Sequence, residues 1–130
     1  MEISRSEELA GVVRGLYAAM GSGDPEAVEA FYSLSPHAVF LGTDEAEFWT
    51  DSAQHNLDVR PYWERAGNRV TPGELLALEC GDVGWTVDRP TIELASGERF
   101  QTRLTFVFHR EGGTWKVVHA HTSVGLEAAG

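Results

Sequence analysis

The sequence predicts an α+β fold in which three N-terminal helices pack on one curved, mainly antiparallel sheet. Three observations lead there. Apolar residues recur at helical spacing up to about Ala66, and from Arg69 onward the period falls to two. The separators in the second half are short and turn-rich, so successive strands must be antiparallel neighbours. Helices first and a meander second is the order of an α+β layer fold. A chain of 130 residues makes a single domain, residues 1–130, long enough to bury a core without a metal or disulfide staple.

The first helix is expected between Ser4 and Gly23. Ser4 with Glu7 matches a capping box and Ser6 is a second candidate cap, while Leu9, Val12, Val13, Leu16, Tyr17 and Met20 form one apolar stripe. Gly21-Ser22-Gly23 stops it. Asp24-Pro25 then starts a short second helix, with Asp as cap, Pro at the first helical position and Val28, Phe31 and Tyr32 on its apolar side. Ser35-Pro36 ends that helix; Ala38 to Leu41 reads as a short strand and Asp44 to Trp49 as a loop. The third helix is expected from about Ser52 to Ala66, with His55, Val59, Tyr62 and Trp63 on one side and, at Pro61, either a kink or a helix that starts late. Four strands follow: Val70–Glu79, Val83–Leu94, Arg99–Arg110 and Thr114–Gly125.

Composition narrows the function classes. Twenty acidic against ten basic residues give a formal charge of −10, and Lys116 is the only lysine. Nucleic acid and anionic membrane are bound by clustered Lys and Arg, so neither is an expected partner. No apolar run is long enough for a membrane span, and the acidic start at Glu2, Glu7 and Glu8 is unlike a signal peptide. Cys80, the single cysteine, has no internal partner, which fits a reducing cytoplasm.

Alternation sorts the strand residues by face. Leu104, Phe106 and Phe108 share a wholly apolar face, opposite Arg103, Thr105, Val107 and His109. Strict alternation in the last strand sets Trp115, Val117, His119, His121 and Ser123 against Lys116, Val118, Ala120, Thr122 and Val124. Both faces are partly apolar, and helices cover only one. The other calls for a second copy of the chain, so a homodimer is expected.

Few residues stand out chemically. His119 and His121 resemble a metal pair, but no further ligand pattern accompanies them, so no metal is expected. No glycine-rich phosphate loop or nucleophile elbow is present, and no cofactor is expected. His55 begins the apolar side of the third helix and looks toward the helix–sheet crevice, as a base, a ligand contact or a hydrogen-bonded core histidine. Arg103 either pairs with an acid or faces an anionic ligand, and Trp49 and Tyr62 either line a pocket mouth or belong to the core.

A family resemblance rests on several segments. Ser22-Gly23-Asp24-Pro25-Glu26-Ala27-Val28 resembles the junction between the first two helices of nuclear-transport-factor-like, SnoaL-like and ketosteroid-isomerase-like domains. Trp115-Lys116-Val117-Val118-His119-Ala120-His121-Thr122-Ser123 resembles their last strand. Gly42-Thr43-Asp44 with Phe48-Trp49, and Asp88-Arg89-Pro90-Thr91, resemble the small stand-alone bacterial SnoaL-like proteins. The resemblance implies a cone-shaped barrel, a deep pocket between helices and sheet, and dimerisation through the sheet's other face. The ketosteroid isomerase base falls at Gly42, its acid donor at Thr105 and its first-helix tyrosine near Leu16, with Tyr17 one position away, so that mechanism is not carried over. His55 matches a pocket histidine of the calcium/calmodulin-dependent kinase association domain, whose pocket arginines fall at Thr105 and Thr122. Both comparisons place Thr105, Val118, Ala120 and Thr122 toward the pocket, and His119 and His121 on the subunit-facing side.

The expected protein is therefore a small-molecule pocket protein for an apolar or aromatic metabolite. If it is an enzyme, it is an acid–base isomerase, dehydratase, cyclase or hydrolase with His55 as the catalytic group. Its ligand contacts would be His55, Tyr17, Phe40, Trp49, Val59, Tyr62, Arg103, Thr105, Val118, Ala120 and Thr122. The alternative is a non-catalytic dimerisation or ligand-binding module resembling the kinase association domain.

Overall fold

Of the two serines able to cap the first helix, the chain uses Ser6. Its hydroxyl accepts from the Leu9 N–H at 3.1 Å, and α1 runs Glu7–Met20. Ser4–Arg5 forms instead a short strand, β1, paired antiparallel with Glu79 and Leu78. A computed structural model describes residues 1–126. Asp24 caps α2 (Pro25–Glu29), accepting from the Glu26 N–H at 3.0 Å. Asp51 caps α3 (Ser52–Trp63). That helix ends short of Ala66: Pro61 in its last turn withholds one backbone donor, the ladder continues to the Glu64 N–H, and the Asn68 amide closes the end by donating to the Tyr62 carbonyl at 2.7 Å.

The other elements are β2 (Val39–Leu41), β3 (Phe48–Trp49), β4 (Arg69–Thr71), β5 (Leu76–Cys80), β6 (Val83–Asp88), β7 (Thr91–Glu93), β8 (Arg99–Gln101), β9 (Arg103–Glu111) and β10 (Thr114–Ser123). They form a seven-stranded sheet in the order β1-β5-β6-β9-β10-β2-β3 and a three-stranded sheet in the order β4-β7-β8. The sheets are antiparallel except where β2 runs parallel to β10. The segment expected as a loop thus contributes β3, which pairs with β2.

Three of the four expected strands are each broken once, at Pro72-Gly73, at Arg89-Pro90 and at Thr102. The breaks meet. The buried Asp88 carboxylate accepts from the backbone N–H groups of Gly73, Glu74 and Arg89 at 2.7–2.9 Å, and Thr102 bonds the Pro90 carbonyl through both its N–H and its hydroxyl. Gly73 has to be glycine here, since a Cβ would stand 2.2 Å from the Arg89 carbonyl oxygen. This crease folds one run of strands into two sheets and gives the cone-like curve over the helices. The large sheet is open, with β1 and β3 at its edges, so the barrel is not closed.

The inner face carries Leu104, Phe106, Phe108, Trp115, Val117 and Ala120, all buried against Leu9, Val13, Leu16 and Met20 of α1. Each such aliphatic or aromatic side chain contributes roughly 1.5–3 kcal/mol on burial. Strict alternation fails in β10. Val117 pairs with Phe108 and His119 with Val107, leaving Val118 as the extra residue of a β-bulge. Trp115 and Val117 therefore share the inner side with Ala120 and Thr122, while His119 and His121 face outward beside Val107 and Thr105.

Candidate functional site

A cavity of about 540 Å³ opens where α3 and the β2–β3 hairpin lean over the curved sheet. Phe40, Trp49, His55, Tyr62 and Trp63 line it from that side, and Leu104, Phe106, Ala120 and Thr122 from the large sheet. Ile92, Leu94, Phe100 and Thr102 reach it across the crease. The wall is mostly aromatic and aliphatic, the usual make-up of a small-molecule site.

His55 sits deep in this wall, 7% exposed. One turn into α3, it stacks on Phe40 with ring centroids 4.3 Å apart and meets Trp49 edge-on at 5.0 Å and Tyr32 at 5.1 Å. Its Nδ1 lies 3.2 Å from the Asn56 side-chain oxygen. That oxygen only accepts, so Nδ1 carries the proton and Nε2 keeps a lone pair. Burial lowers the His55 pKa against smaller opposing effects from Asn56 and Asp58, and the ring is neutral at pH 7. The Trp49 indole is fixed by its N–H bond to Asp58 at 2.9 Å, and Gln54 holds the other Asp58 oxygen at 2.7 Å. Those two bonds, Trp49's first, keep the Asp58 carboxyl below the usual carboxylate range.

Tyr32 follows α2 and bridges to Val117, which brings its ring into the cavity wall. Burial pushes its hydroxyl pKa well up, so it stays a proton donor. Among the described residues that hydroxyl has no hydrogen-bond partner. A neutral imidazole with a free lone pair and a phenol with a free O–H thus stand side by side on an apolar wall. Such a pair can take a proton from one atom of a bound molecule and hydrogen-bond another.

Of the residues expected to contact a ligand, the cavity gathers Phe40, Trp49, His55, Val59, Tyr62, Ala120 and Thr122. It does not gather Tyr17, Arg103, Thr105 or Val118. Tyr17 is turned to the crease, where its hydroxyl donates to Asp88 at 2.9 Å, and burial with that carboxylate raises its pKa. Arg103 lies exposed on the outer face and bonds the Ser123 hydroxyl at 3.2 Å. Thr105 is outward because its neighbours Leu104 and Phe106 are inward, and Val118 is displaced by the bulge. Leu104 and Phe106 were not expected there: placing Thr105 toward the pocket puts its two neighbours on the subunit-facing side, and the structure reverses that parity. Glu98, Phe100 and Thr102 were not expected either, because only the crease carries β8 to the cavity.

Among the described residues, no three His, Cys, Asp or Glu side chains are grouped to hold a metal ion. None of the described helices is long and apolar enough to cross a membrane.

The profile of the SnoaL-like domain matches residues 10–127. The chain belongs to the SnoaL-like family. Solved structures share the fold of this SnoaL-like chain over most of their length. A candidate dehydratase of the NTF2-like family from Streptomyces avermitilis is 16% identical with a TM-score of 0.81, covering 93% of this chain and 96% of that one. A candidate association domain of calcium/calmodulin-dependent protein kinase II from Xanthomonas campestris is 22% identical with a TM-score of 0.80, covering 96% and 91%. An NTF2-like protein of unknown function from Pseudomonas putida KT2440 is 17% identical with a TM-score of 0.80, covering 95% and 92%. At such identities the likeness establishes the fold alone. Comparison with curated proteins finds no match.

Proposed function

We propose that this SnoaL-like chain binds an apolar or aromatic metabolite in the cavity and moves a proton on it, with His55 as general base and Tyr32 as hydrogen-bond donor. One observation carries the reading. The imidazole is neutral, oriented through Nδ1 by Asn56, and has its Nε2 lone pair free beside an unpartnered phenol. Nε2 takes a proton from a carbon next to a carbonyl, the electron pair moves onto the carbonyl oxygen, and the Tyr32 hydroxyl meets the charge developing there. Returning the proton elsewhere is an isomerisation; expelling a β-hydroxyl with that proton is a dehydration. Phe40, Trp49, Val59, Tyr62, Ala120 and Thr122 shape the ligand's apolar body.

The test is hydrogen–deuterium exchange at the α-carbon of a panel of aryl and polycyclic ketones, followed by NMR in D2O. Wild type should accelerate exchange for at least one member, and His55→Ala should lose about 10²–10⁴-fold of that acceleration. Tight binding without exchange would favour the non-catalytic module instead, and an unaltered rate in His55→Ala would remove His55 as the base.

The same reading includes a homodimer built on the outer sheet face. Val83, Val87 and Leu76 are 42–52% exposed there, flanking Trp85 and Val107, and no carboxylate interrupts the patch they form. In a chain of net charge −10 this is a surface on which two copies meet with least repulsion. Sedimentation of wild type as a dimer and of Trp85→Glu as a folded monomer is the expected result; a monomeric wild type at micromolar concentration overturns it. A cytoplasmic location belongs to this reading too, supported by the unpaired Cys80.

A further inference from the structure

We propose that the cavity prefers ligands bearing a protonated amine on their apolar or aromatic body, and disfavours carboxylates and phosphates. The inference rests on the cavity being a ligand site and adds the ligand's charge.

The charged residues lining the cavity are Asp44, Glu47 and Glu98, and neither Lys nor Arg is among its lining residues. Asp44 and Glu98 are exposed at the rim and Glu47 is half-buried. Among the described residues none of the three is in a salt bridge, although Glu29, Glu74, Glu79 and Glu93 elsewhere each have an arginine partner. One oxygen each of Asp44 and Glu47 is engaged by backbone N–H groups of their own turn. The remaining oxygens, and both of Glu98, have no protein donor among the described residues.

A rim of carboxylates alone would be a solvated surface. Here it surrounds two groups that point to a ligand. Tyr32, 9% exposed, lines the cavity with a hydroxyl that has no hydrogen-bond partner among the described residues, and the buried His55 keeps an acceptor nitrogen. Aromatic faces continue outward from them to the opening, where Tyr62 is 51% and Phe100 40% exposed. Aromatic faces attract cations, and an ammonium held at the opening can donate to a rim carboxylate while Nε2 and the Tyr32 hydroxyl stay free for the rest of the ligand. An anion would meet like charge at the rim and no compensating cation inside.

Three probes sharing one ring system isolate the charge: 1-naphthylmethylamine, 1-naphthalenemethanol and 1-naphthoate, titrated into the full chain by calorimetry at pH 7. The amine should bind about tenfold more tightly than the alcohol, with the naphthoate weakest, and added salt should narrow the gap. Glu98→Gln with Asp44→Asn should narrow the same gap and leave the alcohol's affinity within about twofold. Equal affinities for amine and alcohol, or tighter naphthoate binding, would overturn the charge preference while leaving the cavity a ligand site. If none of the three binds, the aromatic-ligand reading falls and this inference with it.

Discussion

Asp88 and His55 are both buried polar groups, 2% and 7% exposed, yet the fold treats them in opposite ways. Asp88 accepts four hydrogen bonds, three from backbone N–H groups and one from Tyr17, and these close the crease between the two sheets. His55 has one bond, to its neighbour Asn56, and otherwise touches aromatic rings. Saturated hydrogen bonding marks Asp88 as a structural centre, since nothing remains for a ligand to engage. Unused capacity next to a cavity leaves His55 free to meet a bound molecule. Burial alone would not have separated them.

The sharpest test of that contrast is Asp88→Ala. Four donors lose their acceptor inside the crease, and the chain should lose about 3–5 kcal/mol of stability, read by urea denaturation. A loss below about 1 kcal/mol would mean that the carboxylate is not what holds the sheets together. The pH dependence comes next. The His55 pKa is lowered in the folded chain, so its contribution to stability is whole above the unfolded pKa near 6.5 and is lost as pH falls below it. The unfolded chain takes up the proton first. Wild type should therefore lose up to about 1.4 kcal/mol per pH unit relative to His55→Phe between pH 6.5 and the lowered value. Parallel stability curves for the two proteins would contradict a buried neutral imidazole. Tyr17→Phe removes only one of the four bonds at Asp88 and should cost about 1 kcal/mol without altering ligand binding. His55→Phe at pH 7 should be the mildest of all for stability, within about 1 kcal/mol, because the ring stacking on Phe40 is kept. The same variant should abolish proton exchange on the ketone panel, so that stability and chemistry move in opposite order at the two centres.

Local rules in the sequence were followed closely. Asp24-Pro25 starts a helix, the stripe from Leu9 to Met20 is buried, and His55 faces the crevice because its place one turn into α3 sets its direction. What was not legible depends on contacts between distant residues. Nothing around Val70–Glu79 announces that Gly73 and Glu74 will bond Asp88, so the crease, the second sheet and the cavity wall from β8 were invisible. Tyr17 was expected at the ligand and is instead committed to that carboxylate. Val118 was misplaced because strict alternation gives no sign of where a strand contains an extra residue, whereas Thr105 and Arg103 lie in a regularly alternating strand whose phase, carried over from relatives, was set one residue out.

That extra residue has a consequence for how chain length can vary. Val118 is unpaired, so losing it would join Val117 directly to His119 and still leave Val117 and Ala120 inward and His119 outward. Losing a paired residue of β10 would instead exchange the two faces beyond the deletion, sending His121 into the cavity and Thr122 out to the outer face of the sheet. Among single-residue deletions in this strand, the one at Val118 should yield a folded protein, with a flatter bend, because the bulge is what strengthens the local twist. Relatives one residue shorter in this strand would then be expected to align with the gap at Val118, and to keep the same division between inner and outer face on either side of it.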